Sequence, residues 1–198
     1  MSKKENNEIT LKIKCDLKEF YNIMVEKHFD ISDKFSLEDY YFIPENLKLK
    51  ETSIREILAK AVIVRKRTCL FTNNEKIMIV FKRKTFDEMG NILKQDSVKC
   101  HVLNKNESFE ILKAIGYKMI MNINENDIVY TKDGFNIAVK NIQNGDNLIE
   151  IETTEFEELN TIQKLISKVN EIGLPVFTDN YFVKKAEIEL EKVLNKEQ

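Results

Sequence analysis

The chain has 198 residues, of which 42% are hydrophobic and 32% charged, and its 31 basic and 33 acidic residues give a net charge of -2. This is the composition of a globular protein, and the near balance of charge argues against a nucleic-acid-binding protein. The longest strongly apolar run, IMIVF at 77–81, is far shorter than the about 20 residues that a membrane-spanning helix needs. Three cysteines without metal-type spacing and a polar N-terminal stretch lead us to expect a cytoplasmic protein.

The first predicted element is a strand over 8–14, within the stretch EITLKIKC. Apolar residues occupy its odd positions and polar residues its even positions, which is the alternation of a strand with two unlike faces. The apolar face requires burial. The polar face fits either a solvated outer surface or the lining of a charged cavity, and the pattern alone leaves both open.

Five helices are predicted along the chain. Asp16 with Glu19, and Ser53 with Glu56, form N-terminal capping patterns before the first two. The stretches ESFEILKAIG and FEELNTIQKLISKVNEIG give the next two, and the second of these has the clearest helical spacing of apolar residues. A last helix is predicted through about 180–195.

Seven further strands are predicted, at 61–69, 76–85, 95–103, 118–123, 128–132, 135–142 and 147–154. Asp-Gly and Asn-Gly pairs lie between several of them, at 133–134 and 144–145 for example, and such pairs indicate tight hairpin turns. An antiparallel sheet of about eight strands is therefore expected. Because no linker or repeat separates the elements, we predict a single domain over residues 1–198.

Three of these strands carry charged residues in alternation with apolar ones: Arg65, Arg67, Lys82, Lys84, Glu150 and Glu152. If helices cover the apolar faces and the sheet closes on itself, the charged faces point inward. We therefore predict an α+β fold, a closed or nearly closed antiparallel β-barrel of about eight strands that forms a tunnel, with the helices packed outside.

The order of these elements resembles that of the CYTH family, the triphosphate tunnel metalloenzymes, over about residues 8–190. The family's signature Glu-x-Glu-x-Lys stands here as Glu8, Thr10 and Lys12. Similar segments follow in the family's order: EDYYF, VIVR, IVFKRK, FEILKAIGYK, LIEIE and FTDNYFVKKAEIEL. The family includes class IV adenylyl cyclases, thiamine triphosphatases and inorganic triphosphatases. The resemblance implies a closed antiparallel barrel around a polar tunnel.

Several positions depart from the family's pattern. The substituted positions are Thr10, Ile63, Gln95 and Ser97 and, with reversed charge, Lys99, Glu125, Asp127 and Lys140. The loss of a carboxylate at Thr10 removes a ligand that a second metal ion would need, so catalysis could be lost while binding remains.

The resemblance implies a small-molecule triphosphate ligand: inorganic triphosphate, thiamine triphosphate or a nucleoside triphosphate. Its charge requires Arg and Lys side chains aimed into one site, and the phosphate-binding candidates are Lys12, Lys14, Arg65, Arg67, Lys82 and Lys84. Mg²⁺ or Mn²⁺ would be held by carboxylates, for which Glu8, Glu150 and Glu152 are the candidates. No catalytic residue is assigned, and neither a nucleic-acid nor a membrane partner is expected.

Three functions remain open at this point. The first is a metal-dependent triphosphatase, with adenylyl cyclase activity less expected. The second is a catalytically inactive binding or regulatory module with the same fold. The third is a β-rich scaffold whose charged faces are only solvated.

Overall fold

A computed structural model of the chain describes the backbone of residues 8–86 and 92–196 and the side chains of 8–82 and 97–196. The strands are β1 (Glu8–Lys12), β2 (Asp30–Pro44), β3 (Val62–Cys69), β4 (Glu75–Phe86), β5 (Ile92–Val102), β6 (Tyr117–Lys132), β7 (Phe135–Ile142) and β8 (Asn147–Glu152). The helices are α1 (Leu17–Glu26), α2 (Ile54–Ala59), α3 (Lys105–Ala114), α4 (Ile162–Ile172) and α5 (Lys185–Lys196). None of the helices in the described ranges has the length and apolar composition needed to cross a lipid bilayer.

The strands form one eight-stranded sheet in the order β1-β8-β7-β6-β2-β3-β4-β5. The ladders between β1 and β8, β8 and β7, β7 and β6, β3 and β4, and β4 and β5 are antiparallel. The predicted α+β fold with an eight-stranded antiparallel sheet is therefore confirmed.

The strand order ends at β1 and β5, and no ladder joins these two strands within the described residues. The second edge of β1 is instead covered by a later segment of the chain. Ile13 bridges to Val176 and Thr10 to Phe182, and the Val183 N–H donates to the Thr10 carbonyl. This segment satisfies backbone groups that an edge strand would otherwise expose. Closure of the sheet into a tunnel remains a prediction.

Two strand predictions were wrong. The structure has a 15-residue strand, β2, where the sequence pattern gave none, and it has one continuous strand, β6, where two were predicted. Both strands carry buried acidic residues, Asp39 in β2 and Glu125 and Asp127 in β6. A buried carboxylate interrupts the apolar alternation from which strands are recognised.

The chain divides into two compact units, each built from several segments. Unit 1 comprises residues 1–36, 69–71 and 125–184, and unit 2 comprises residues 37–68, 72–124 and 185–198. The single-domain assignment stays a prediction.

The core of unit 1 is formed by the apolar faces of its strands. Ile9 and Leu11 of β1 and Ile149 and Ile151 of β8 are fully or almost fully buried. Helices α1 and α4 cover them with side chains that include Phe20, Met24, Leu165 and Val169. The prediction that the odd-numbered, apolar side chains of the first strand are buried is thus confirmed. The Asp16 carboxylate caps α1 by accepting from the Glu19 N–H at 2.9 Å, as its sequence pattern predicted.

The core of unit 2 includes Phe42, Val64 and Leu112, with Ile79 and Phe109 packed against them. Helix α2 begins with the predicted capping box between Ser53 and Glu56. As in unit 1, the apolar positions of the strands face a core and the charged positions alternate with them.

Candidate functional site

The polar face of unit 1 is built from four neighbouring strands. The register pairs Glu8 with Glu152 and Thr10 with Glu150, so these side chains share one face of the sheet. The pairing of Glu150 with Ala138, and of Lys140 with Asp127, continues the same face across β7 and β6. We call this surface the acidic face, and its carboxylates are Glu8, Glu125, Asp127, Glu150 and Glu152.

Three of these carboxylates come together at one end of the acidic face. Glu8, Glu150 and Glu152 each offer a carboxylate oxygen, and these oxygens all lie within 4.8 Å of one another. Glu8 and Glu152 are exposed, and Glu150 is half-buried. A set of oxygen donors on an accessible surface matches what Mg²⁺ and Mn²⁺ prefer, so the residues fit the predicted cation. These are the three residues that the sequence predicted as metal ligands.

The other end of the acidic face contains a buried lysine. The Lys140 Nζ lies 3.0 Å from Asp127 Oδ2, 3.5 Å from Glu150 Oε1 and 3.8 Å from Glu125 Oε1. Burial disfavours the charged ammonium, but attraction to Glu150, Glu125 and Asp127 outweighs it and raises the pKa of Lys140 above its ordinary value. The surrounding carboxylates therefore favour the charged form of Lys140.

The burial of its side chains shows whether the polar face is a solvated outer surface or the lining of a charged cavity. Asp127, Glu125, Lys140 and Thr10 are all buried, although they lie on the polar face. A solvated outer surface does not bury its charges, because an unpaired buried charge is very costly. The inner part of the acidic face is consequently an enclosed ionic cluster, and its outer part, at Glu8 and Glu152, is open to water.

The two predicted phosphate ligands of unit 1 lie on exposed positions. The Lys12 Nζ pairs with Asp146 at 2.7 Å, and the Lys14 Nζ lies over the Phe177 ring, 5.4 Å from its centroid. These contacts do not place either lysine at the three carboxylates. A role for them in binding phosphate stays a prediction.

Unit 2 has a polar face of the opposite sign. The register pairs Arg65 with Met78, Arg67 with Lys76, and Lys82 with Ser97, so the three predicted basic residues share a face. We call this surface the basic face of unit 2. The predicted residue Lys84 follows in the same register, but its side chain lies outside the described residues.

The buried carboxylate of Asp39 belongs to this basic region. Arg65 donates to Asp39 from both Nε and Nη2, each at 2.6 Å, in a bidentate pair. Burial of Asp39 opposes its ionisation, but Arg65 outweighs this, and Lys185 and Lys82 add to the effect. The pKa of Asp39 is therefore lowered from its usual value.

A second ionic network in unit 2 connects α3 to the sheet. The Lys105 Nζ donates to Glu38 and to the Tyr40 hydroxyl, both at 2.9 Å, and the Tyr40 hydroxyl donates to Glu38 at 2.6 Å. Lys66 bridges Glu38 and Glu75. Acids and bases are balanced here, which is typical of a structural network.

Sequence reasoning did not give site roles to Lys140, Glu125, Asp127 or Asp39. The first three were identified only as charge reversals relative to the family's pattern. The sequence nevertheless contained an indication of this cluster. The positions whose charge is reversed relative to the family's pattern carry charges of opposite sign and lie on neighbouring strands. Direct pairing of Asp127 with Lys140 in the β6–β7 ladder is the contact this indication would have suggested.

The comparisons with known proteins rest on structure. No protein-family model matches the sequence, and no curated protein matches it. The PH1819 protein of Pyrococcus horikoshii has a similar structure, with a TM-score of 0.67 at 20% identity, covering 94% of this chain and 99% of that one. A hypothetical protein from Pyrococcus furiosus matches with a TM-score of 0.58 at 17% identity, covering 88% and 98%.

A candidate adenylate cyclase from Vibrio parahaemolyticus also matches, with a TM-score of 0.56 at 11% identity, covering 97% of this chain and 98% of that chain. Identities this low establish the fold and leave the activity open. The resemblance drawn from the sequence is confirmed at that level: over nearly its whole length, the chain has the fold of a candidate adenylate cyclase.

Proposed function

We propose that the protein binds a triphosphate-bearing small molecule together with one Mg²⁺ or Mn²⁺ ion, and that Glu8, Glu150 and Glu152 hold the ion. The observation that carries the proposal is the convergence of their three carboxylate oxygens within 4.8 Å. Three like charges so close repel one another in the absence of a cation, and a divalent ion relieves that repulsion. The ion would supply charge neutralisation at the phosphates.

The phosphate groups need positive charge as well, and we assign it to the predicted basic residues. The candidates are Lys12, Lys14, Arg65, Arg67, Lys82 and Lys84. The strand register of unit 2 supports this assignment, because Arg65, Arg67 and Lys82 share one face. Arg65 also has a structural role in its pair with Asp39. Arg67 and Lys82 are therefore the better positions at which to test phosphate binding.

Whether the ligand is hydrolysed is a separate matter. A binding or regulatory module without turnover is the second candidate function, and Thr10 favours it. This residue lies opposite Glu150 in the register, where the family resemblance implies a further carboxylate. With fewer ligands for metal, we expect triphosphatase activity to be weak or absent and cyclase activity to be weaker still.

The experiment is a thermal-shift screen of tripolyphosphate, ATP and thiamine triphosphate, each with and without Mn²⁺. A ligand that binds only the folded protein raises the melting temperature, by an amount equivalent to about 2.7 kcal/mol at a concentration 100 times its Kd. We expect a rise with Mn²⁺ plus ligand in the wild type and a much smaller rise in Glu152→Gln. Phosphate release measured on the same samples separates a triphosphatase from a binding module.

The matched control is Glu171→Gln, because Glu171 is an exposed acid of α4 that pairs with Lys168 and lies outside the acidic face. This variant should respond as the wild type does. The proposal fails if none of the three ligands stabilises the wild type, or if Glu152→Gln and Glu171→Gln respond alike.

A further inference from the structure

Lys140 is the one base among the buried charges of the acidic face that the structure describes. Its ammonium contacts three carboxylates, and only one of them, Glu150, also belongs to the proposed metal ligands. The acidic face therefore has two parts that share Glu150. The outer part is the set Glu8, Glu150 and Glu152, and the inner part is Asp127, Glu125 and Lys140.

We propose that Lys140 is a built-in cation that fills the inner part of the acidic face and thereby limits the protein to a single exchangeable divalent ion. This inference rests on the proposed function, because it presupposes that the outer carboxylates bind that ion. Lys140 is a positioning residue in this proposal, since it acts through Glu150 and the charge of the site.

The geometry supports a role beyond a simple ion pair. Asp127 pairs directly with Lys140 in the β6–β7 ladder, while Glu125 and Glu150 lie on the same face at diagonal positions. The ammonium is thus surrounded by carboxylates from two different strands. Oxygen ligands from several strands, arranged around one centre, are also what a metal ion would use. Because the lysine is covalently attached, it occupies that centre at any metal concentration.

Two effects follow for an ion bound at the outer part. Repulsion by the nearby ammonium weakens binding of a divalent ion, because the interaction between charges in a partly buried site is only moderately screened. Lys140 also competes for Glu150, whose Oε1 lies 3.5 Å from its Nζ. Removal of the ammonium should strengthen binding at the outer carboxylates and make the inner ones available to a second ion.

The test is the binding of Mn²⁺ to the full chain. Calorimetry measures the affinity and stoichiometry, and the loss of the free Mn²⁺ signal in electron paramagnetic resonance measures them independently. Wild type should bind one Mn²⁺. Lys140→Met, which removes the charge and keeps much of the side-chain length, should bind Mn²⁺ roughly tenfold more tightly and take up a second ion. Lys140→Arg retains the charge and should behave as wild type does.

Lys140→Met removes the ammonium that the buried carboxylates of Asp127 and Glu125 contact, and such a loss can prevent folding. The double variant Lys140→Met/Asp127→Asn removes one charge of each sign and is the safer background. It should still show tighter Mn²⁺ binding than the wild type, because Glu150 is released from the ammonium. Circular dichroism establishes that each variant is folded before titration.

The outcomes separate this inference from the proposed function. If wild type binds one Mn²⁺ and the folded methionine variants bind it with the same affinity and stoichiometry, the inference is overturned and the proposed cation site stands. If wild type binds none but the methionine variants bind Mn²⁺, Lys140 blocks the whole acidic face, so the limit of one exchangeable ion and the proposed function both fail. If no variant binds Mn²⁺, both are rejected.

Discussion

The two units bury counter-ions of opposite sign. In unit 1 the buried ammonium of Lys140 is surrounded by the carboxylates of Glu125, Asp127 and Glu150. In unit 2 the buried carboxylate of Asp39 is bound by Arg65 and stabilised by the nearby charges of Lys82 and Lys185. Among the side chains that the structure describes, each unit therefore has a polar face of one sign with a buried counter-ion of the other.

The difference in sign indicates what each face can attract from solution. The named residues around Lys140 carry more negative than positive charge, and two further carboxylates, Glu8 and Glu152, adjoin Glu150. A divalent cation suits that excess. The named residues around Asp39 carry more positive than negative charge, which suits phosphate oxygens. Each face thus has the sign that its own proposed ligand requires.

The largest expected effect comes from removing the two buried counter-ions or their partners. We expect Lys140→Met and Arg65→Met each to lower the free energy of unfolding by about 3–5 kcal/mol, because each removes the base that contacts a buried carboxylate. Urea unfolding at neutral pH without metal measures this. Adding Mn²⁺ should restore part of the stability of Lys140→Met and none of that of Arg65→Met.

Lys113→Met is the matched control, since Lys113 forms an exposed pair with Glu110 within α3 and its loss should cost less than about 1 kcal/mol. Equal rescue of both methionine variants by Mn²⁺ would contradict the difference between the two units.

The second largest effect is expected when low pH reduces the stability of the protein by protonating Asp39. Its pKa is lowered in the folded protein, so its contribution to stability is present above the unfolded value of about 4 and is lost as pH falls through the folded value. The stability difference between wild type and the neutral double variant Asp39→Asn/Arg65→Met should therefore be constant from pH 7 to 5 and shrink below pH 4. Urea unfolding at each pH gives the difference, and a constant value down to pH 2.5 would show that Asp39 keeps an ordinary pKa.

Much of the fold could be predicted from the sequence because local patterns determine it. The cap at Asp16, the capping box at Ser53 and the alternation in β1 each predicted an element that the structure contains. Local residues supply both the hydrogen bonds and the apolar spacing in these cases.

The strand errors have a common physical cause. Asp39 interrupts the alternation of β2, and Glu125 and Asp127 interrupt that of β6. Asp39 is compensated by Arg65, 26 residues further along the chain, and Asp127 by Lys140, 13 residues further along. The alternation within one strand shows the interruption, whereas the compensating base is found only when neighbouring strands are paired. The metal-ligand candidates were easier to bring together, because Glu150 and Glu152 are two residues apart and the first and last strands pair directly.

Phosphate binding gives a smaller effect and tests the basic face. We expect Lys82→Ala to weaken binding of tripolyphosphate by roughly 1.5–3 kcal/mol, the value of one charge-assisted contact. Calorimetric titration in the presence of Mn²⁺ measures the change in Kd. Lys113→Ala is the control of equal charge, and an identical loss of affinity in both variants would mean that Lys82 acts only through net charge.

The smallest effect is expected at Thr10, where the family resemblance implies a carboxylate. Thr10 lies opposite Glu150 in the β1–β8 ladder, and side chains of directly paired residues are close enough to share a ligand. Thr10→Glu should therefore tighten Mn²⁺ binding about tenfold, which is about 1.4 kcal/mol. The position is buried, so the metal-free variant should also be less stable than the wild type, because a further negative charge joins Glu150.

Thr10→Gln separates the charge from the added size. It has nearly the volume of the glutamate variant but no carboxylate, so its Mn²⁺ affinity should stay at the wild-type value while its packing cost remains. Calorimetric titration of both variants gives the comparison. If glutamate and glutamine change Mn²⁺ affinity equally, position 10 does not face the ion, and the set Glu8, Glu150 and Glu152 would have to bind it without help from the centre of β1. If only the glutamate variant binds Mn²⁺ more tightly, position 10 can supply a further carboxylate to the ion, at the place where the family resemblance implies one.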